Sequence, residues 1–167
     1  MIDLTSTPII ILAILGSVGV ALPVINIGLK EKGSVISYGI AALIALFASI
    51  GYVLYQLVLD HVAPAALFSQ DVLVDDAFGA LFAIAMLIVA IFTTVGSFNY
   101  MKNKDNPSIY FSLILLSAIG MVLVAYSTDL VMLFIAWELM SIPTYVLVGF
   151  LKKDPISNEA AIKYFLF

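Results

Sequence analysis

The sequence predicts an all-α integral membrane fold: a polytopic helical bundle with five complete transmembrane helices and the start of a sixth, in a single membrane domain over residues 1–167. Three observations predict it. Hydrophobic residues fill 63% of the positions and charged residues only 11%, where an ordinary soluble domain carries about 25% charge. The apolar residues come in runs of about 20, the length a helix needs to cross the hydrocarbon core. Charges fall almost entirely between the runs.

The first span is read over 8–29 and is closed by Lys30, Glu31, Lys32 and Gly33. Its leading segment, MIDLTSTP, has an acid and no Lys or Arg, the opposite of a secretory signal, so this helix is expected to be retained. Pro23 and Asn26 in its second half are read as kink and packing features. The second span, 34–59, intersperses Gly39, Ala41, Ala42, Ala45, Ala48 and Gly51 with bulky residues, which predicts close helix packing in lipid. Residues 60–76 form the longest polar interruption, with four aspartates and no Lys. Asp75 and Asp76 stand where they would cap the third span, 77–98, at the positive end of its dipole. His61 beside Asp60 is read as a solvated interfacial residue, with a surface proton-accepting pair as the weaker alternative.

The loop NYMKNKDN leads to Asn106-Pro107, a cap followed by proline at the first helical position of the fourth span, 107–127. Only Thr128 and Asp129 remain to turn the chain, so the fourth span and the fifth, 129–151, must be antiparallel neighbours. Lys152-Lys153 closes the fifth, and Asp154-Pro155 opens a sixth helix, 156–167, that is incomplete.

Six of the seven lysines follow the first, third and fifth spans, while the intervening loops hold aspartates and no lysine. The positive-inside tendency then puts the lysine loops in the cytoplasm and the N-terminus outside, in a multi-pass protein of the cell inner (cytoplasmic) membrane. The lipid bilayer is one partner. A net charge of −4 leaves no basic patch for nucleic acid, and the absence of cysteine removes disulfides, thiolate metal sites and cysteine nucleophiles. A lone histidine makes no His-rich metal site. Nothing in the chain is read as binding a metal or a redox cofactor.

One residue breaks the segregation of charge. Of eleven acidic residues, Glu138 alone lies deep in a span, within TDLVMLFIAWELMSIPTYVLVGFL. A charge at a helix centre costs about 2.5–3.5 kcal/mol, so such a Glu is expected to face a bundle interior or a wet cavity. Ser141 at i+3 and Tyr145 at i+7 extend a polar face from it. Pro143, lacking an N–H, leaves the carbonyl of Leu139 without its helical partner, one residue from the Glu.

Lys163, eight residues past Pro155, is about 12 Å into the membrane at 1.5 Å per residue, and Glu138 about 20 Å from the same surface. That mismatch is within reach of two extended side chains or a bridging water. Two other readings stand beside a functional pair: Glu159 and Lys163 neutralise each other at i and i+4, or Lys163 snorkels to the surface. A carboxylate and an amine at membrane depth suit proton handling, because burial and pairing shift their proton affinities in opposite senses.

At these residues the chain resembles the antiporter-like membrane subunits of respiratory complex I. The runs DLVMLFIAWELMSIPTYVLVGF and SNEAAIKYFLF carry the resemblance, which extends from about Val74 to Phe167; EAAIKYF favours the N-type subunit of NADH-quinone oxidoreductase or of archaeal F420H2 dehydrogenase. The resemblance implies that Glu138 matches the fifth-helix glutamate of the family's proton path and Lys163 the lysine beyond it. The family's lysines on the seventh and later helices have no counterpart here, so the chain is expected to be the N-terminal portion of a longer subunit. By the same resemblance it is a non-redox, proton-translocating part of an oxidoreductase. Quinone or methanophenazine, flavin and iron–sulfur clusters would reside in partner subunits, among other membrane subunits and a peripheral electron-input arm. The alternatives are a subunit of a multisubunit cation/proton antiporter or membrane-bound hydrogenase, and a structural bundle in which neighbours satisfy Glu138.

Overall fold

A computed structural model describes residues 6–28, 34–59, 72–151 and 154–166. The Asp60–His61 pair, the first lysine cluster with Glu31, and Lys152-Lys153 lie outside the described residues. Six helices account for nearly all the rest: α1 (Thr7–Gly28), α2 (Val35–Val58), α3 (Ala77–Met101), α4 (Pro107–Tyr126), α5 (Leu130–Val148) and α6 (Pro155–Leu166). The first five are each long and apolar enough to cross a membrane, so the chain is a multi-pass membrane protein.

The bundle is built on α4. Helices α1, α2, α3 and α5 all pack against it, and α1, α2 and α3 also pack in succession on one another. Among the described helices, α5 touches only α4 and α6. Over half of the apolar stretch of α4 is buried, 56%, against 17% for α5, which leaves α5 at the periphery of this bundle. The core runs along α4 through Phe111, Leu115, Ala118, Val122 and Tyr126, and meets Ile11 and Leu15 of α1, Leu46 of α2 and Leu87 of α3.

The helix ends follow the chain's capping chemistry with two departures. Asp76 does cap α3, its Oδ1 accepting from the Gly79 N–H at 2.7 Å. Asp75, expected at the same cap, instead takes the Thr7 N–H at the start of α1, with Oδ2 accepting at 2.8 Å. One acidic pair thus serves two helix N-termini, because the segment before α3 runs alongside the α4–α5 turn: Val74 N–H donates to Tyr126 O (3.0 Å) and Thr128 N–H to Val72 O (3.2 Å). At the other end of the molecule Asn106 precedes Pro107 as expected, yet it sits in the left-handed region (φ 58°, ψ 52°) and its side chain makes no capping bond. There Asn106 works as a turn residue, tolerated in that conformation by its short polar side chain.

Helix α5 begins at Asp129, whose Oδ2 accepts from both Val131 N–H (2.9 Å) and Met132 N–H (3.2 Å). Asp129→Ala is expected to cost about 1 kcal/mol, the usual loss of a side-chain N-cap. A lowered thermal midpoint of the purified protein, with unchanged helix content, would show it.

The small residues of α2 divide. Gly39, Ala42 and Ala45 are buried, but Ala48 is exposed and a Cβ on Gly51 would meet nothing within 4 Å. Close packing therefore covers only one stripe of the helix. Asn26 behaves as a packing residue, its Oδ1 accepting from the Tyr38 hydroxyl at 2.8 Å between α1 and α2.

Candidate functional site

Glu138 occupies the ninth position of the 19-residue α5, midway along the span. Its side chain is half-buried, and among the described residues it forms no hydrogen bond or ion pair. Ala136 on the same helix is fully buried and Leu139 packs against the core, whereas Phe134, Ile135 and Trp137 are exposed. Glu138 thus stands at the margin between the α4 contact and the open face of α5.

The turn beyond it is held by hydroxyls. Pro143 is buried inside the helix and offers no N–H to the Leu139 carbonyl. Ser141 is buried too, but its Oγ donates back to the Trp137 carbonyl at 2.8 Å, and Thr144 Oγ1 donates to the Ser141 carbonyl at 2.6 Å. Back-bonding of this kind accompanies local bending of a helix. Ser141 therefore supports the backbone around Glu138 rather than meeting the carboxylate.

Helix α4 grips the same turn from outside. Ser117 Oγ donates to the Met140 carbonyl at 3.1 Å. One turn on, a Cβ placed on Gly120 would lie 2.3 Å from Met140 N, 2.7 Å from its Cα and 2.8 Å from Leu139 C. The two backbones are in direct contact at the two residues that follow Glu138. Sequence reasoning missed Ser117 and Gly120. The available signal was the pair of small residues, Ser117 and Gly120 in LLSAIGMVL, since small side chains let membrane helices approach closely.

Tyr145 points the polar face of α5 toward α6. Its ring packs edge-on against Tyr164 and Phe165, with centroids 5.5 and 5.4 Å away. These are the two residues after Lys163. Lys163 itself is exposed, and its Nζ lies 2.6 Å from Glu159 Oε1, both side chains being 65% exposed. Of the arrangements open from the sequence, the one present is the i,i+4 pair on α6; Lys163 is not ion-paired with Glu138. Among the described residues no cluster of three or more His, Asp or Glu side chains is placed to hold a metal.

Comparison with known proteins bears on what this arrangement is for. Residues 127–167, which contain both Glu138 and Lys163, match the family described as NADH:quinone oxidoreductase/Mrp antiporter, transmembrane. The chain is 37% identical over 161 residues to NADH-quinone oxidoreductase subunit N 1 of Solibacter usitatus, covering 95% of this chain and 31% of that protein. It is 37% identical over 100 residues to F420H2 dehydrogenase subunit N of Methanosarcina mazei, covering 60% of this chain and 20% of the relative. Among solved structures, a chain of respiratory complex I from Thermus thermophilus, determined with bound aureothin, superposes with a TM-score of 0.70 at 25% identity, over 93% of this chain and 32% of that one. The chain therefore spans about a third or less of the length of these relatives. Over that stretch it is a homologue of the N-type antiporter-like membrane subunits of complex I, and its residues 127–167 belong to the NADH:quinone oxidoreductase/Mrp antiporter transmembrane family.

Proposed function

We propose that the chain is part of a proton-translocating membrane subunit of a complex I-like oxidoreductase, and that Glu138 carries the proton. The observation that supports this most directly is the placement of Glu138: a carboxylate at mid-span, half-buried and without a fixed counter-charge, on a helix whose backbone is loosened one residue later by Pro143. A carboxylate committed to structure would have a partner within reach. One without a partner can take up and release a proton as its surroundings change.

Lys163 joins the path in this reading by exchanging Glu159 for Glu138. A surface-type pair at i,i+4 holds it by only about 0.3–0.5 kcal/mol, a small barrier to exchange. Tyr145 of α5 packs against Tyr164 and Phe165 of α6, the two residues after Lys163. The redox steps belong to partner subunits carrying flavin and iron–sulfur clusters, with quinone or methanophenazine as electron acceptor, and this chain supplies no redox chemistry. Its other partners are further membrane subunits and a peripheral electron-input arm. Proton uptake or release per electron pair in sealed vesicles tests the assignment, with Glu138→Gln as the deciding variant. Pumping that falls while assembly holds supports it, and undiminished pumping overturns it.

The lysine loops are assigned to the cytoplasmic side of the inner membrane. Helices α3 and α4 are antiparallel, so Lys102 at the end of α3 and Val72 before its start lie at opposite ends of the bundle. Cysteines at Lys102 and Val72 should label from opposite faces of oriented vesicles, the first from the cytoplasmic face. Labelling of both from one face would break this topology.

A further inference from the structure

At the end of the bundle away from Lys102, three buried oxygens from three elements have no hydrogen-bond partner among the described residues: Thr7 Oγ1 at the start of α1, Asp75 Oδ1 in the segment before α3, and the phenol oxygen of Tyr126 at the end of α4. Thr7 and Tyr126 are each only 1% exposed. Three contacts link the residues that carry them. Asp75 Oδ2 accepts from the Thr7 N–H at 2.8 Å. Val74, the neighbour of Asp75, donates its N–H to the Tyr126 carbonyl at 3.0 Å. The Tyr126 ring lies against Gly79 beside the Asp76 carboxylate, and its phenol is within electrostatic reach of both Asp75 and Asp76.

We propose that this node is a binding site for an ordered water molecule, hydrogen-bonded to Asp75 Oδ1 and to the hydroxyls of Thr7 and Tyr126. The inference stands apart from the proton path of Glu138. Buried oxygens of this kind are almost always satisfied, and a polar site with two to four partners is what a buried water requires. The Tyr126 and Thr7 hydroxyls can both donate to the water oxygen, and the water donates in turn to Asp75 Oδ1. A cation fits less well. Calcium takes about 6–8 oxygen ligands and magnesium a full octahedron, whereas this site offers three oxygens and one carboxylate. Beside the node lies a cleft of about 320 Å³, lined by Val74, Asp76 and Tyr126 together with apolar side chains such as Phe78, Phe82 and Met86. The consequence is structural: the water ties α1, the segment before α3 and α4 together at the end where Asp75 already joins two of them.

The test is a density map of the full-length subunit in its assembled complex, at a resolution where buried waters are seen. One peak is expected within hydrogen-bonding distance, about 2.6–3.2 Å, of Asp75 Oδ1 and of the Tyr126 phenol oxygen. In Tyr126→Phe combined with Thr7→Val, the water would retain a single side-chain partner and the peak should vanish with the helices in place. Three results overturn the proposal: no peak in a wild-type map that shows other buried waters, a direct bond from either hydroxyl to Asp75 Oδ1, or a peak that survives in the double variant. Five or more oxygens within about 2.5 Å of the peak would mark a cation and overturn it equally. Should the double variant fail to assemble, the wild-type map decides alone.

Discussion

Gly120→Ala is expected to force α4 and α5 apart and to lower the amount of assembled protein, with Gly120→Leu abolishing assembly. The reason is the identity of the atoms in the way. A Cβ at position 120 would lie 2.3 Å from Met140 N and 2.7 Å from Met140 Cα. Comfortable contacts between such atoms lie near 3.5–4.0 Å, so α5 must retreat by about an ångström even for one methyl group. Backbone of a hydrogen-bonded helix cannot yield as the tip of a side chain would, and overpacking of this kind costs about 1–3 kcal/mol. The retreat also stretches the Ser117–Met140 bond, now 3.1 Å. Gly51→Ala supplies the control, because a Cβ there meets nothing within 4 Å. It should be neutral or mildly stabilising, as Ala gains up to about 1 kcal/mol over Gly in a helix interior. Thermal midpoint and yield of assembled protein measure both. Equal behaviour of the two variants would show that the α4–α5 contact is looser than the structure has it.

The five spans were legible because length and apolarity alone define them, and both survive any arrangement of the helices. Which face of each helix packs was far less legible. In lipid the outside of a bundle is as apolar as its core, so a helix such as α4 reads apolar all round and carries no inside–outside signal. Residue size is the remaining cue, and it misleads as often as it helps: Gly39 and Ala45 mark a contact, Ala48 and Gly51 do not. Caps were legible where one acid preceded one helix, as at Asp154, whose Oδ1 accepts from the Ile156 N–H at 3.1 Å. They failed at Asp75, because its partner Thr7 lies 68 residues away and only the folded chain brings them together. At the candidate site, the depth of Glu138 and the break at Pro143 came directly from sequence. The grip of Ser117 and Gly120 on the turn behind Glu138 did not, since it depends on the rotation of α4 about its own axis. The pairing of Lys163 was left open by helical arithmetic, and the structure has it with Glu159.

Glu138→Gln is expected to lower the proton flux through this subunit by about tenfold or more, the scale on which loss of a positioned acid or base is felt, while assembly is unchanged or improved. The amide keeps the size and most of the hydrogen bonding of the carboxyl group, so the contacts of α5 with α4 should persist. It removes a mid-span charge whose insertion costs about 2.5–3.5 kcal/mol, which is why assembly has no reason to suffer. A purely structural carboxylate predicts the other outcome, an assembled complex that pumps normally. Lys163→Met is expected to do less. Its ammonium is 65% exposed and paired with Glu159, and an exposed i,i+4 pair contributes only about 0.3–0.5 kcal/mol. If Lys163 takes part by exchanging Glu159 for Glu138, the Met variant still slows pumping, and Glu159→Gln, which frees the lysine from its present partner, should leave pumping intact or raise it. If Lys163 merely neutralises Glu159, the Met and Gln variants at 163 and 159 should behave alike. Proton uptake and release per electron pair, normalised to the amount of assembled complex, separate these cases. Normal pumping by Glu138→Gln would move Glu138 from the proton path to the structure of α5.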